Sequence, residues 1–207
     1  MKHANTRTLY DYWNALRGTR PTPLRSDLDP RELKALLPQT FILQRESESS
    51  YKFRLAGTDI CRIFDRELRD ENFLADWRRN ERESLESLLE SITVDHTAAV
   101  LGVNACFGVE KSCMIEYLLV PLRLDGTKET RVLGCASFID ERPRFGQMTV
   151  THQEIVSLRL VWPDNMPRFM ATAGSGAPEV ETHEEIEPPH SAGERRGHLW
   201  VIEGGAS

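Results

Sequence analysis

Cys61, in "GTDICRIF", and His96, in "TVDHTAAV", are the two residues whose setting first raises the question of chemistry. A cysteine can be a nucleophile or a redox centre if its thiolate is stabilised. A histidine can hold a metal or move a proton. Neither stands in a recognisable constellation. Cys61, Cys106, Cys113 and Cys135 form no CxxC spacing, and all four have apolar neighbours, which reads as buried reduced thiols acting as small hydrophobes. His96 follows a helical pattern, where a histidine near the C-terminus complements the helix dipole. His152, His183, His190 and His198 show neither HxxxH nor HxH spacing. The acidic residues of "NERESLESLLE" read as the solvated face of a helix. GxSxG, HExxH and GxxxxGK[ST] are absent, as are histidine-kinase and receiver hallmarks, so catalysis is not expected.

Bulk properties narrow the function further. The chain has 207 residues, 40% of them hydrophobic, enough for one domain with flanking segments. Its formal net charge of −6 argues against a nucleic-acid surface, since phosphate binding needs a basic field. The stretch "MKHANTRTLYDYW" lacks the apolar core of a signal peptide, and no apolar run approaches the roughly 20 residues of a membrane helix. The expected location is therefore cytoplasmic.

These residues must be positioned by the elements around them. In "RTLYDYWNALRG", Leu9, Trp13 and Leu16 share one helical face, and Gly18 is a stop. The aromatic stripe with Tyr12 could pack on the chain's own sheet or pair two subunits as a homodimer. "DPRELKALLP" reads as a compact second helix, with Asp29 as cap, Pro30 in the first turn and Pro38 as terminator. "QTFILQRE" and "YKFRLAG" read as an antiparallel hairpin around "SESS". Short helices follow from Thr58, carrying Ile60, Ile63 and Phe64, and then Leu68, Phe73, Leu74 and Trp77. A longer helix from about Arg79 to Asp95 places Leu85, Leu88, Leu89 and Ile92 inward. Three strands, "AAVLGVNACFG", "CMIEYLLVPLRL" and "RVLGCASFID", close the domain, the last two joined at Asp125-Gly126. The expected fold is α+β, with one five-stranded antiparallel sheet, N-terminal helices and a helical crossing.

After Asp140 the pattern weakens. "TVTHQEIVSLRLVW" fits neither a strand nor a helix period well. The expected organisation is an N-terminal amphipathic helix and loop over 1–24, a domain over 25–145, and an extension over 146–170. A Gly/Pro/Ser/Glu-rich linker, read as disordered, spans 171–197, and an apolar segment, "HLWVIEGGAS", spans 198–207. That apolar end on a tether suggests docking on a sheet edge or on a partner.

The order of elements, with "LYDYW" (Leu9 to Trp13), "RSDLDPRELKALLP" (Arg25 to Pro38), "FRLAGTDICRIFDREL" (Phe53 to Leu68), "FLADW" (Phe73 to Trp77) and "RRGHLWVIEGG" (Arg195 to Gly205), resembles short bacterial PAS-domain regulatory proteins. The likeness covers about residues 8–140 and the last ten or so. It implies a sensory PAS domain without an attached catalytic domain, signalling in trans to a separate regulatory protein. It also implies a hollow between a cupped sheet and the short helices. The residues expected to line that hollow are Phe53, Leu55, Ile60, Phe64, Phe73, Trp77, Leu101, Val103, Tyr117, Leu119, Cys135 and Ser137. Arg54 and Glu67 are expected to pin the bend beside Gly57.

The resemblance also raises haem or flavin as the alternative, a redox or gas sensor. Cys61 is similar to the photoadduct cysteine of light-sensing PAS domains, but Asp59-Ile60 replaces the asparagine expected before it and Asp65 the glutamine after "RIF". Asn104 is the only amide in "AAVLGVNACFG", and "CMIEYLLVPL" has none, so a flavin ring lacks its usual partners. His96 is the candidate axial ligand for haem.

Overall fold

The computed structural model describes residues 1–107, 111–139 and 149–163, and the backbone of 195–196 and 199–200. The chain forms two compact units, Met1–Asn165 and Met166–Ser207. In the first, helix α1 (Ala4–Arg17) is capped by the His3 ring, whose Nδ1 accepts the Asn5 N–H at 3.1 Å. It ends at Gly18, at φ 56°. Leu9 and Trp13, four residues apart on one face, are fully buried. The aromatic stripe is thus used on the chain's own sheet.

The compact helix expected from "DPRELKALLP" does not form. Asp29 does accept the Arg31 N–H, at 2.9 Å. The backbone then runs in turns with bonds such as Leu36 N–H to Leu33 C=O at 2.7 Å, ending in a 3-10 turn at Leu37–Gln39. Burial of Leu33 and Leu36 sets the path of this segment, and Pro38, which disfavours the helical conformation at Leu37, limits its end.

Strands β1 (Thr40–Ser47) and β2 (Ser50–Ala56) form the expected antiparallel hairpin. Helix α2 (Thr58–Phe64) follows at once and stops where Asp65 adopts a left-handed conformation at φ 51°. The second stretch expected to be helical is an irregular turn leading to a 3-10 segment, Phe73–Asp76, capped by the Asn72 side chain on the Leu74 N–H. Helix α3 (Arg79–Val94) buries the expected stripe of Leu85, Leu88, Leu89 and Ile92.

Strands β3 (Ala98–Phe107), β4 (Lys111–Arg123) and β5 (Thr130–Phe138) follow. A sixth strand, β6 (His152–Val161), joins them. The sheet order is β2-β1-β5-β4-β3-β6, with every neighbouring pair antiparallel. β6 explains why its sequence fits neither period. Val103 pairs with Ile155 and Gly102 with Ser157, so Val156 is an extra, bulged residue. Apolar alternation changes phase across it. In the second unit, β7 (Arg195–Arg196) pairs antiparallel with β8 (Leu199–Trp200). The linker expected over 171–197 and the rest of the apolar C-terminal segment otherwise lie outside the described residues.

The central strands are buried on both faces. Ile115, Tyr117 and Leu119 face α2, α3 and the 3-10 segment, while Leu118, Val120 and Leu122 lie with Leu9 and Trp13 of α1. Two polar anchors hold α1 down. Trp13 Nε1–H donates to the Pro121 carbonyl at 2.7 Å. The Glu116 carboxylate, 4% exposed, accepts the N–H groups of Lys2 and His3 at 2.7–3.0 Å. Burial pushes the Glu116 pKa up, but these N–H donors outweigh it and the net shift is downward.

Gly57 joins β2 to α2 where a Cβ would lie 2.3 Å from the Leu37 and Pro38 carbonyl oxygens. Its φ of −66° is ordinary, so close backbone approach, not a left-handed turn, requires glycine here. Gly134 similarly lies under the Phe41 ring, 2.2 Å from where its Cβ would be.

Gly57→Ala should destabilise the fold by about 2–3 kcal/mol, as overpacking against backbone does. Gly18→Ala, strained in φ but with open space, should cost about 1 kcal/mol. Denaturant titration of both variants tests that difference. Glu116→Gln should cost about 1.5–3 kcal/mol near neutral pH, where the charge-assisted bonds are intact. Because the folded pKa of Glu116 is depressed, this contribution is present above the unfolded carboxylate range and is lost as pH falls through the lower folded value. The gap between wild type and variant should therefore close on acidification, and a gap independent of pH would contradict the assignment.

Candidate functional site

The inner face of the sheet and the short helices enclose an aromatic cluster. Phe41 comes from β1, Phe53 from β2, Tyr117 from β4, and Phe73 and Trp77 from the 3-10 segment and its end. Phe73 lies 5.6 Å from Trp77, 5.8 Å from Phe53 and 5.9 Å from Phe41, measured between ring centroids. Tyr117 lies 6.1 Å from both Trp77 and Phe41. Such contacts contribute about 0.5–1.5 kcal/mol per pair beyond burial itself.

One corner of this interior is polar. The Tyr117 hydroxyl donates to Gln153 Oε1 of β6 at 2.7 Å, and Gln153 is 1% exposed. Burial, and then the nearby Asp76 charge, push the Tyr117 hydroxyl pKa far up, so it remains a neutral donor. The backbone of Trp77 bridges that of Gln153 in parallel. Two residues further along β6, the Ile155 N–H donates to Glu81 Oε1 at 2.7 Å. Glu81 belongs to the first turn of α3, where the helix dipole favours a carboxylate. It is buried, not on the solvated face expected from the sequence.

Trp77 Nε1, Gln153 Nε2 and Glu81 Oε2 are buried and hydrogen-bond to no described group. A buried polar atom left unpaired costs about 1–3 kcal/mol, and native proteins contain few of them. Here two donors and one acceptor fall on adjoining elements. Satisfying them takes one or more groups that accept from N–H and donate to a carboxylate.

Of the expected lining residues, Phe53, Ile60, Phe64, Phe73, Trp77, Leu101, Val103, Tyr117 and Leu119 lie in this inner core. Three do not line it. Leu55 is 41% exposed, because the register shift between Ile42 and Leu43 breaks the alternation of β2 against β1. Cys135 packs on the opposite face, under α1, and Ser137, two residues on, is buried with its hydroxyl 3.6 Å from the Cys135 thiol. Phe41, Gln153 and Glu81 belong to the site and were not anticipated. Phe41 was readable as a buried strand residue, whereas Gln153 was hidden in the bulged strand and Glu81 among surface glutamates.

Arg54 and Glu67 do not act together. Arg54 binds Asp70 at 2.7 Å, Gln44 at 2.8 Å and also Glu46, while Glu67 accepts the N–H groups of Leu68 and Arg69. Cys61 is partly buried against the core, 3.6 Å from Glu67, and burial raises its pKa first, with the Glu67 charge adding to the rise. Burial also raises Cys106, and pushes Cys135 up to about 11. None of these three thiols is poised as a thiolate.

His96 sits in a left-handed turn at φ 59° between α3 and β3, outside the aromatic cluster. Among the described residues, no group of three or more His, Cys, Asp or Glu could hold a metal ion. The contacting rings fill the interior that a macrocycle or a flavin ring would need, so these residues do not fit haem or flavin. No helix among the described residues is long and apolar enough to cross a membrane.

Comparison with known proteins bears on this arrangement. A family model described as a PAS domain matches residues 1–137. The PAS domain of an HTR-like protein from Haloarcula marismortui is a similar solved structure, 15% identical, covering 53% of this chain and 91% of that one, with a TM-score of 0.40. A search among curated proteins finds no match. With an α+β fold built on one antiparallel sheet, and a family match over more than half its length, this chain belongs to the PAS-domain family of sensory and signalling modules.

Proposed function

We propose that this chain is a cytoplasmic, non-enzymatic regulator whose PAS hollow takes up a small molecule and passes the result to a separate protein. The observation that carries this reading is the polar corner: Trp77 Nε1, Gln153 Nε2 and Glu81 Oε2, buried without partners beside a closed aromatic cluster. Thr6 Oγ1, Tyr51 OH and Arg131 Nε are also buried without a partner, but Trp77, Gln153 and Glu81 differ in sitting on elements joined by the Trp77–Gln153 bridge and the Glu81–Ile155 bond. The ligand it fits is compact, with a hydroxyl or comparable group that accepts from the indole and amide and donates to Glu81. The raised thiol pKa values argue against a thiolate nucleophile at Cys61, Cys106 or Cys135. A change at this corner would reach the surface through β6 and α3, which it joins directly.

Native mass spectrometry of the purified chain should show a retained small molecule. Trp77→Phe and Gln153→Leu should each reduce that retained mass by about tenfold in occupancy, the worth of one lost hydrogen bond. Absence of any retained mass in the wild type, together with a higher melting temperature of Gln153→Leu, would show that the corner is only an imperfect core. Tyr117→Phe removes the hydroxyl that orients Gln153 and should cost about 1 kcal/mol in denaturant titration, since it leaves Gln153 Oε1 unpaired.

A further inference from the structure

The two edges of the sheet are treated differently. At the β2 edge, the turn after α2 runs alongside: Phe53 N–H donates to Glu71 C=O at 3.0 Å, and Asp70 N–H to Phe53 C=O at 2.8 Å. At the β6 edge only the first half is covered, by the Trp77 bridge to Gln153 and by Glu81 on the Ile155 N–H. Beyond the bulge at Val156, residues 157–161 pair with β3 on one side and have no strand on the other among the described residues.

This open stretch has an ordered chemistry. Val156, Leu158 and Leu160 are 56%, 37% and 38% exposed, a concentration of large apolar side chains on one strand. Leu158 and Leu160 pair with Leu101 and Ala99, and so stand on the α3 side of the sheet. Arg159 pairs with Val100 and stands on the α1 side. There it borders a concavity of about 420 Å³ shared with Arg7, Tyr10 and Val161. Among the described residues neither Arg7 nor Arg159 has a carboxylate partner within salt-bridge distance, although the chain as a whole is acidic.

An isolated lysine or arginine on an edge strand serves to repel other strands. Arg159 differs in being backed by a second cation and flanked by exposed leucines. An added strand would meet apolar side chains on one face and guanidinium groups without a carboxylate partner on the other, the Arg7 guanidinium donating only to the Met1 carbonyl at 3.3 Å.

We propose that residues 157–161 are the docking edge for an extended acidic peptide of a partner protein. It would add as a seventh strand, its apolar residues over Leu158 and Leu160 and its alternating Asp or Glu toward Arg159 and Arg7. Backbone pairing supplies affinity in such β-augmentation, and the alternate side chains supply specificity. The assignment rests on the trans-signalling half of the function proposed above and is independent of what the hollow holds.

The test uses the full chain, labelled with nitrogen-15, and two short capped peptides of alternating valine and glutamate or valine and lysine. The glutamate peptide should shift the amide resonances of 157–161 and bind about tenfold more tightly than the lysine peptide, the difference shrinking with salt. Arg159→Glu should reverse the preference. Leu160→Thr should weaken both peptides by about fivefold or more when binding is compared below the melting transition of wild type and variant, since the side chain is 38% exposed and its covered part carries some stability. Equal binding of both peptides, shifts located elsewhere, or no shifts with either would overturn the proposal. A concentration-dependent dimer of the free chain that Leu158→Asn dissolves would place a second copy on this edge and would overturn it too. Peptide binding is read on β6 and ligand binding as retained mass, so either reading can fail alone.

Discussion

The packing of Phe73 and Trp77 onto the sheet is the contact on which most of the domain depends. These two rings come from a segment with little regular structure, a 3-10 turn of four residues. Hydrogen bonding within so short a turn cannot hold it in place. What holds it is the contact with Phe41, Phe53 and Tyr117, which ties residues from β1, β2 and β4 to one short stretch of chain. Once Trp77 is set, its backbone lies beside Gln153 and α3 begins two residues later. The polar corner and the start of the long helix are thus consequences of aromatic packing.

The same economy of regular structure shapes the rest of the fold. Central strands buried on both faces need covering layers, and on the outer face the long cover is α1. It is fastened through Glu116 at its N-terminal end and through Trp13 in its C-terminal half. Both anchors are polar groups placed where the sheet would otherwise be wholly apolar. Each gives the helix a defined position that apolar contact alone, being non-directional, would leave free to slide. The inner face is closed by α2, α3 and the aromatic 3-10 segment and the outer by α1, and the two layers share β4.

Much of this was legible in the residues. The strand alternation of "YKFRL", the stripe of α3 and the hairpins at "SESS" and "DG" rest on local periods, and local periods survive folding when one face is buried. At "DPRELKALLP" the cap contact at Asp29 is real, but burial of Leu33 and Leu36 draws the backbone into successive turns rather than a helix. Leu55 is turned outward by a register shift, and Cys135 lies under α1 because the sheet is buried on both sides, so apolar character alone does not say which face a strand residue takes. β6 was ambiguous because a bulge erases the very periodicity by which a strand is recognised.

What the amino-acid order alone determined was the family, the kinds of element and the absence of familiar catalytic patterns, because these depend on neighbours a few residues apart. Tertiary structure decided which face each strand residue takes, and it brought Trp77, Glu81, Tyr117 and Gln153 to one corner. No local rule links residues up to 76 positions apart, and a buried glutamate in a run of glutamates looks like any other until the strand whose N–H it receives is in place. The open half of the β6 edge is of the same kind: a strand is an edge only by virtue of which strands lie beside it.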